Sequence, residues 1–94
     1  MLALVLGISL LPPPEYTGPY EGVLAEIVLP PEEIHAYCED LLGIKRDKTI
    51  RGCAWYGLLD DGVCVIVYPD RTSNGVRPKD IKTHEQAHCK GWRH

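Results

Sequence analysis

The sequence predicts an α+β fold: a small antiparallel or mixed sheet with a β-hairpin and two helices, the C-terminal helix carrying a metal site. Residues 23–29 and 63–68 are short apolar runs rich in branched side chains, as in buried strands. Residues 31–43 and 78–91 each begin near a proline and end at a glycine, as helices often do. Three of the four histidines lie in the last eleven residues.

Length and charge restrict the class of protein. The 94 residues, 45% hydrophobic and 24% charged, are typical of one small globular domain. Within this domain (1–94), residues 1–20 are expected to form an N-terminal arm and residues 21–94 the main body. A net charge of −3 argues against nucleic acid or an anionic membrane as the main partner. The composition does not fix the oligomeric state.

The N-terminal run MLALVLGISLL is apolar and is followed by Pro12, Pro13 and Pro14. It is too short to span a bilayer, so stable membrane insertion is not expected. It lacks the basic leader and the small-residue cleavage site of an export signal. We therefore interpret it as a strand or packed arm rather than as an export signal. Both a cytoplasmic and an exported location remain compatible with the chain.

A strand and a helix come next. Residues 23–29 (VLAEIVL) form the strand, which ends at Pro30, and Pro31 suits the first turn of a helix. In the segment PEEIHAYCEDLLG the apolar side chains recur at the spacing of one helical face, and acidic residues occupy the first turn, where the helix dipole favours them. Gly43 supplies the stop. The apolar face consists of Ile34, Tyr37, Cys38, Leu41 and Leu42.

The central part of the chain predicts a solvated basic loop at 44–52 and a hairpin between 53–59 and 63–68. Asp61-Gly62 is a strong turn signal between these runs. With a two-residue turn, Cys64 would face Leu59 and Cys53 would lie about 20 Å away. A Cys53–Cys64 disulfide would then require a wider loop or a shifted register.

The four cysteines, Cys38, Cys53, Cys64 and Cys89, allow three pairings, among which sequence cannot choose. Cys38 and Cys89, one on each helix, are candidates for covalent ties between elements. Reduced, buried cysteines are an equally acceptable interpretation.

The last eleven residues, HEQAHCKGWRH, have the geometry of a metal site. His84 and His88 are four apart, so on a helix both imidazoles point the same way and can hold one Zn²⁺. Glu85 is offset by one residue and can reach a water on the metal. His94 can join only if Gly91 ends the helix and turns the chain back. Cys89 points away from the metal face.

The same stretch matches HExxHxxGxxH, the long zinc motif of the metzincin metallopeptidases, which it resembles in full. The resemblance implies that His84, His88 and His94 bind one zinc ion, that Glu85 is the general base and that Gly91 is the turn residue. The layout also resembles small uncharacterised phage and bacterial proteins ending in HE..HC.GW.H. The methionine turn of metzincins has no counterpart, since the only methionine in these 94 residues is Met1.

Other aromatic and histidine side chains have ordinary interpretations. Tyr56 and Tyr68 could donate to a developing oxyanion, but we interpret them as buried tyrosines. Trp92 is expected to be a packing anchor for the returning chain rather than a substrate contact. His35 is expected to lie at the surface or boundary of the first helix.

The leading functional hypothesis is a zinc metalloendopeptidase that cleaves a peptide or protein substrate with a zinc-activated water and Glu85 as the base. By resemblance to the clan, the extended substrate would lie along an edge strand above the zinc helix. The alternative is a non-catalytic, zinc-stabilised binding or assembly module. A third hypothesis is a zinc hydrolase acting on cell-wall peptide bonds.

Overall fold

A computed structural model describes residues 2–5, 11–56 and 62–93, and for residues 2–5 it describes the backbone. A four-stranded sheet carries one helix on each face, and a short 3-10 turn (Pro14–Tyr16) precedes the second strand. The elements in chain order are β1 (Leu2–Val5), β2 (Val23–Leu29), α1 (Pro31–Leu42), β3 (Gly52–Tyr56), β4 (Val63–Pro69) and α2 (Pro78–Cys89).

The sheet is mixed, with strand order β1-β3-β4-β2. Strand β3 pairs antiparallel with both β1 and β4, whereas β2 pairs parallel with β4. The predicted α+β class with a mixed sheet and two helices is therefore confirmed. The strand predicted at 23–29 is β2, and part of the apolar N-terminal run is β1, as the strand interpretation required.

The hairpin between β3 and β4 is present, but its register is not that of a two-residue turn. Tyr56, and not Leu59, is the residue opposite Cys64. Gly62, directly before β4, is bonded to the β2 side of the sheet: its carbonyl accepts hydrogen bonds from the backbone N–H of Val23 at 2.8 Å and from the hydroxyl of Tyr20 at 2.9 Å. The connection is wider, and residues 57–61 within it lie outside the described part of the chain.

Helix α1 packs its predicted apolar stripe on one face of the sheet. Ile34, Cys38 and Leu42 are buried against residues of β3, β4 and the preceding loop. The helix ends as expected, because Gly43 adopts a left-handed conformation with φ 67°. Loop 44–51 is free of helix and strand and exposes Lys45, but Ile50 within it is buried, so the solvated interpretation holds only in part.

Helix α2 packs on the opposite face. Alternation of side chains along β3 and β4 directs Cys53 and Val67 towards α1, and Ala54, Cys64 and Ile66 towards α2. The helix begins at Pro78 and ends at Cys89, two residues before the predicted stop. No helix in the described ranges is both long enough and apolar enough to cross a lipid bilayer.

Two disulfides tie the helices to the central strands. Cys38 of α1 is bonded to Cys53 of β3, and Cys64 of β4 is bonded to Cys89 of α2. The reduced interpretation of the cysteines is therefore wrong for this structure. Because Cys53 and Cys64 face opposite sides of the sheet, each can reach only the helix on its own side. The sheet and both helices form one covalently braced unit.

Candidate metal centre

Helix α2 buries three polar side chains within five residues on the side that faces the sheet. His84 and His88 are each 2% exposed, and Glu85 is fully buried. Carboxylate side chains are seldom fully buried unless they are paired or bind a metal. The sheet-facing side of this helix therefore combines structural residues such as Ile81 with a polar cluster.

The two imidazoles of this cluster converge as the i, i+4 spacing predicts. The Nε2 atoms of His84 and His88 are 3.1 Å apart, and the ring centroids are 4.8 Å apart. Two nitrogen ligands at tetrahedral angles around one zinc ion would be separated by about 3.3 Å. The observed separation is that of a hydrogen bond between the two rings, and it is also close to the separation that a shared zinc ion requires.

A backbone carbonyl orients the second imidazole. Nδ1 of His88 lies 2.7 Å from the carbonyl oxygen of Trp92. Because a carbonyl can only accept a hydrogen bond, this contact places the proton of a neutral His88 on Nδ1 and leaves a lone pair on Nε2. Metal-binding histidines in proteins use the same arrangement, with the distal N–H donating to a carbonyl or carboxylate.

The chain reverses after α2 in the manner that the motif requires. Gly91 has φ 103°, a conformation that favours glycine, and its N–H donates to the carbonyl of His88 at 3.0 Å. The N–H of Trp92 donates to the carbonyl of Ala87 at 3.2 Å. This turn carries Trp92 back over the helix. His94, the predicted third ligand, lies outside the described residues.

Trp92 packs on the imidazoles themselves. Its ring is stacked on that of His88, with centroids 5.0 Å apart and planes 14° apart, and it meets the His84 ring edge-on at 4.9 Å. Trp92 is thus a packing residue, as expected, but the side chains on which it packs are the two imidazoles of the candidate site. Sequence reasoning missed this contact and the role of the carbonyl, since neither depends on a residue type with metal chemistry.

Glu85 lies beneath the sheet at the start of β3. An added Cβ at Gly52 would be 3.3 Å from Oε2 of Glu85 and 2.6 Å from Cγ2 of Ile81, so glycine is required for this close approach. Among the described residues, neither carboxyl oxygen of Glu85 has a hydrogen-bond partner. Burial raises the pKa of Glu85 well above its ordinary value. Gly52, directly before the strand predicted at 53–59 and the first residue of β3, was the sequence signal that could have indicated this contact.

The remaining candidates lie apart from the two imidazoles or are engaged elsewhere. Cys89 is bonded to Cys64, in agreement with its exclusion as a ligand. His35 accepts a hydrogen bond from the N–H of Ile50 and lies at the α1 boundary, as predicted. Tyr56 is 36% exposed, so the prediction that it is buried is wrong.

Tyr68 is half-buried, and its hydroxyl donates to Oε1 of Glu26 at 2.6 Å. The same carboxylate oxygen is 2.9 Å from Nζ of Lys82. Tyr68 therefore belongs to a small polar network that links β2, β4 and α2 through the carboxylate of Glu26.

Within ranges 2–5, 11–56 and 62–93, no three histidine, cysteine, aspartate or glutamate side chains are grouped so that they could hold a metal ion. The described part of the site is a pair of imidazoles with a buried glutamate beside it. Comparisons of the chain with protein families, with curated proteins and with solved structures found no match. The resemblance to metzincins is therefore limited to the eleven residues of the motif, and membership of that clan stays a prediction.

Proposed function

We propose that this protein is a zinc-dependent, peptidase-like hydrolase, in which His84, His88 and His94 bind one zinc ion and Glu85 is the general base. The observation that carries the proposal is the convergence of two buried Nε2 atoms at 3.1 Å. The carbonyl that orients His88 supports it, because it directs the lone pair towards His84. Three neutral histidines would leave one coordination position open, as catalytic sites require.

Zinc would supply a Lewis acid that activates water and polarises a carbonyl group. The residues of the chain supply the rest. His84 and His88 would hold the cation, and the Trp92 ring packs against both imidazoles and restricts their movement. Glu85, one residue from His84, would take a proton from the attacking water and pass it to the leaving amine.

Two features keep the ligands in place. The Cys64–Cys89 disulfide anchors the last residue of α2, next to His88, to the centre of the sheet. The turn at Gly91 then fixes the Trp92 carbonyl against His88. A site held on a braced helix retains its geometry without the cation, which favours binding because little ordering is needed.

The second candidate is a non-catalytic binding or assembly module in which zinc stabilises the fold. The observation that favours it is the position of Glu85, which is fully buried and packed against Gly52. A general base has to contact water at the moment of reaction, whereas a structural residue does not. The two candidates share the metal site and differ in what Glu85 does.

The test is a Glu85→Gln variant, which keeps the size of the side chain and removes its basicity. Zinc content is measured by mass spectrometry of the metal, and hydrolysis is measured on a fluorescently labelled unfolded protein. We expect one zinc ion per chain in both parent and variant, and a loss of activity of about 100-fold or more in the variant. His84→Ala and His88→Ala should lose the zinc.

The matched control is Glu39→Gln, a change of the same kind on α1, which should leave zinc content and hydrolysis unchanged. Equal hydrolysis by parent and Glu85→Gln at matched zinc loading would contradict the catalytic role. A parent that binds zinc and hydrolyses nothing would support the module.

A further inference from the structure

A cavity of about 230 Å³ lies at the end of the sheet where the parallel strands β2 and β4 terminate. It is lined by Pro69, the last residue of β4, by the first turns of both helices, and by residues of the loops before β3 and after β4. In sheets with parallel strands, ligands bind in the crevice outside the carboxyl ends of the strands. The topology of the sheet therefore favours a binding site at this position.

This cavity is separate from the candidate metal centre. Within the described ranges, α2 contributes Ile81 to the lining, and neither imidazole takes part. Ile81 belongs to the first turn of the helix and precedes His84 by three residues. The proposed zinc site therefore does not account for the cavity.

The inner wall of the cavity is aliphatic. Ile34, Ile50 and Ile81 are each at most 2% exposed, and two prolines, Pro31 and Pro69, complete the wall. Such a wall favours a branched hydrocarbon group, because contact with it removes apolar surface from water. Pockets for drug-sized ligands measure about 300–1,000 Å³, so this smaller cavity suits a ligand of the size of one amino acid.

Two charged residues of opposite sign are among the described residues that line the cavity. Arg51, directly before β3, is half-buried, and Glu32 lies exposed in the first turn of α1. The ion pairs between described residues include neither of them. Arg71, a cation that acts on Glu32, is itself bonded to Asp70 through two hydrogen bonds of 2.8 and 3.1 Å. A ligand can therefore meet both charges of the lining.

We propose that this cavity binds a free amino acid with a branched aliphatic side chain, such as leucine. The carboxylate of the ligand pairs with Arg51, the ammonium group pairs with Glu32, and the side chain packs on the three isoleucines. A guanidinium group presents paired donors that match a carboxylate. Because the two charges of the lining cancel, a zwitterion leaves neither of them unpaired, whereas a simple acid or amine leaves one. This site goes beyond the proposed hydrolase and does not depend on zinc.

The experiment is calorimetric titration of the metal-free full chain with leucine and with two analogues that each lack one charge. N-acetyl-leucine lacks the ammonium group, and leucine amide lacks the carboxylate. We expect a Kd for leucine below about 1 mM, in the range for a ligand of this size. Each analogue should bind at least about 10-fold more weakly, because it loses one charge-assisted contact.

Two variants assign the charges to residues. Arg51→Met and Glu32→Gln should each weaken leucine binding at least about 10-fold. Arg51→Met should bind leucine and leucine amide alike, since the partner of the carboxylate is gone. The matched controls are Arg46→Met and Glu33→Gln, changes of the same kind at exposed positions outside the cavity lining, and both should bind leucine as the parent does.

Three results would each overturn the proposal. They are a Kd for leucine above about 10 mM in the parent, equal binding of leucine and both analogues, and unchanged binding by Arg51→Met and Glu32→Gln. The first two concern the parent alone and do not depend on whether any variant folds.

These readouts need neither zinc nor hydrolysis. Leucine binding by a protein that proves to have no hydrolytic activity would remove the proposed function and leave the amino-acid site. Hydrolysis by a protein that does not bind leucine would do the reverse.

Discussion

The two helices of this protein are built alike and are used differently. Each has 12 residues, starts at a proline and is bonded through a disulfide to a central strand on its own side of the sheet. On the α1 side the buried cluster is apolar, and the boundary residue His35 is fully engaged with Ile50 and Glu39. The residues on this side of the sheet therefore serve to stabilise the fold.

The α2 face buries His84, Glu85 and His88 where α1 buries hydrocarbon. Within the part of the chain that the structure describes, both oxygens of Glu85 lack a hydrogen-bond partner, and an unsatisfied buried acceptor costs stability. On the α1 side the buried polar groups are hydrogen-bonded, whereas the α2 side contains an unsatisfied carboxyl group. Such groups are concentrated at functional sites, so we expect the function on the α2 side. A disulfide between a helix and a central strand thus accompanies an apolar core on one side of the sheet and a polar cluster on the other.

The largest expected effects on stability come from removing the two disulfides, one at a time. We expect Cys38→Ala with Cys53→Ala, and Cys64→Ala with Cys89→Ala, each to lower the free energy of unfolding by about 3 kcal/mol. The two pairs close loops of 15 and 25 residues, which differ little in entropy. Urea unfolding of the two double variants measures this effect.

Removal of the two disulfides should have different effects on zinc affinity. The Cys64–Cys89 pair should matter for it, since Cys89 follows His88, whereas removal of the Cys38–Cys53 pair should leave it unchanged. Competition with a chelator measures the affinity of each folded variant. Equal zinc affinity in both would contradict the distinction between scaffold and site.

A smaller effect is expected from pH in the metal-free protein. Burial raises the pKa of Glu85 in the folded state above its value in the unfolded chain, so the folded protein binds a proton more tightly. The stability that this proton provides is fully present below the ordinary glutamate pKa and is lost as pH rises through the raised pKa of the folded state. The parent should therefore lose stability relative to Glu85→Gln as pH rises from the acid side, measured by urea unfolding at each pH.

Glu39 of α1 should behave in the opposite direction. The backbone N–H of Arg46, together with His35 and Lys45, holds the pKa of Glu39 below its ordinary value. Its contribution to stability is present above the unfolded pKa and is lost as pH falls through the folded pKa. Relative to Glu39→Gln, the parent should therefore lose stability towards acid. The same sign of pH dependence at both positions would contradict the assignment.

The smallest predicted effect concerns the polar group that α1 satisfies. In His35→Ala the N–H of Ile50 loses its acceptor, and we expect a loss of about 1–3 kcal/mol in the free energy of unfolding. His35→Asn should recover part of it, because the amide oxygen can take the place of Nδ1. Zinc affinity should be unchanged in both. A loss of zinc from His35→Ala would show that the two faces are coupled.

The local structure was largely predictable from the sequence. Apolar periodicity and proline boundaries predicted β2 and α1, and Gly43 predicted where α1 ends. The convergence of His84 and His88 followed from helix geometry alone. These features depend on residues close together in the chain, where local preferences determine the conformation.

Features that depend on contacts between distant residues were not predictable. The disulfide pairing follows from the β3–β4 register, in which Tyr56 lies opposite Cys64 and Cys53 and Cys64 face opposite sides of the sheet. A two-residue turn would have given a different register. The exposure of Tyr56 and the burial of Glu85 depend equally on how elements assemble. Sequence patterns report which residues could meet, and tertiary packing decides which do.

The placement of the two tryptophans gives the molecule an optical asymmetry. Trp92 stacks on an imidazole of the candidate site, while Trp55 packs with the apolar cluster on the other side of the sheet. The emission of Trp92 is thus sensitive to what the His88 ring binds, and Trp55 serves as an internal reference. Intrinsic fluorescence can therefore follow the state of the two imidazoles without any added label.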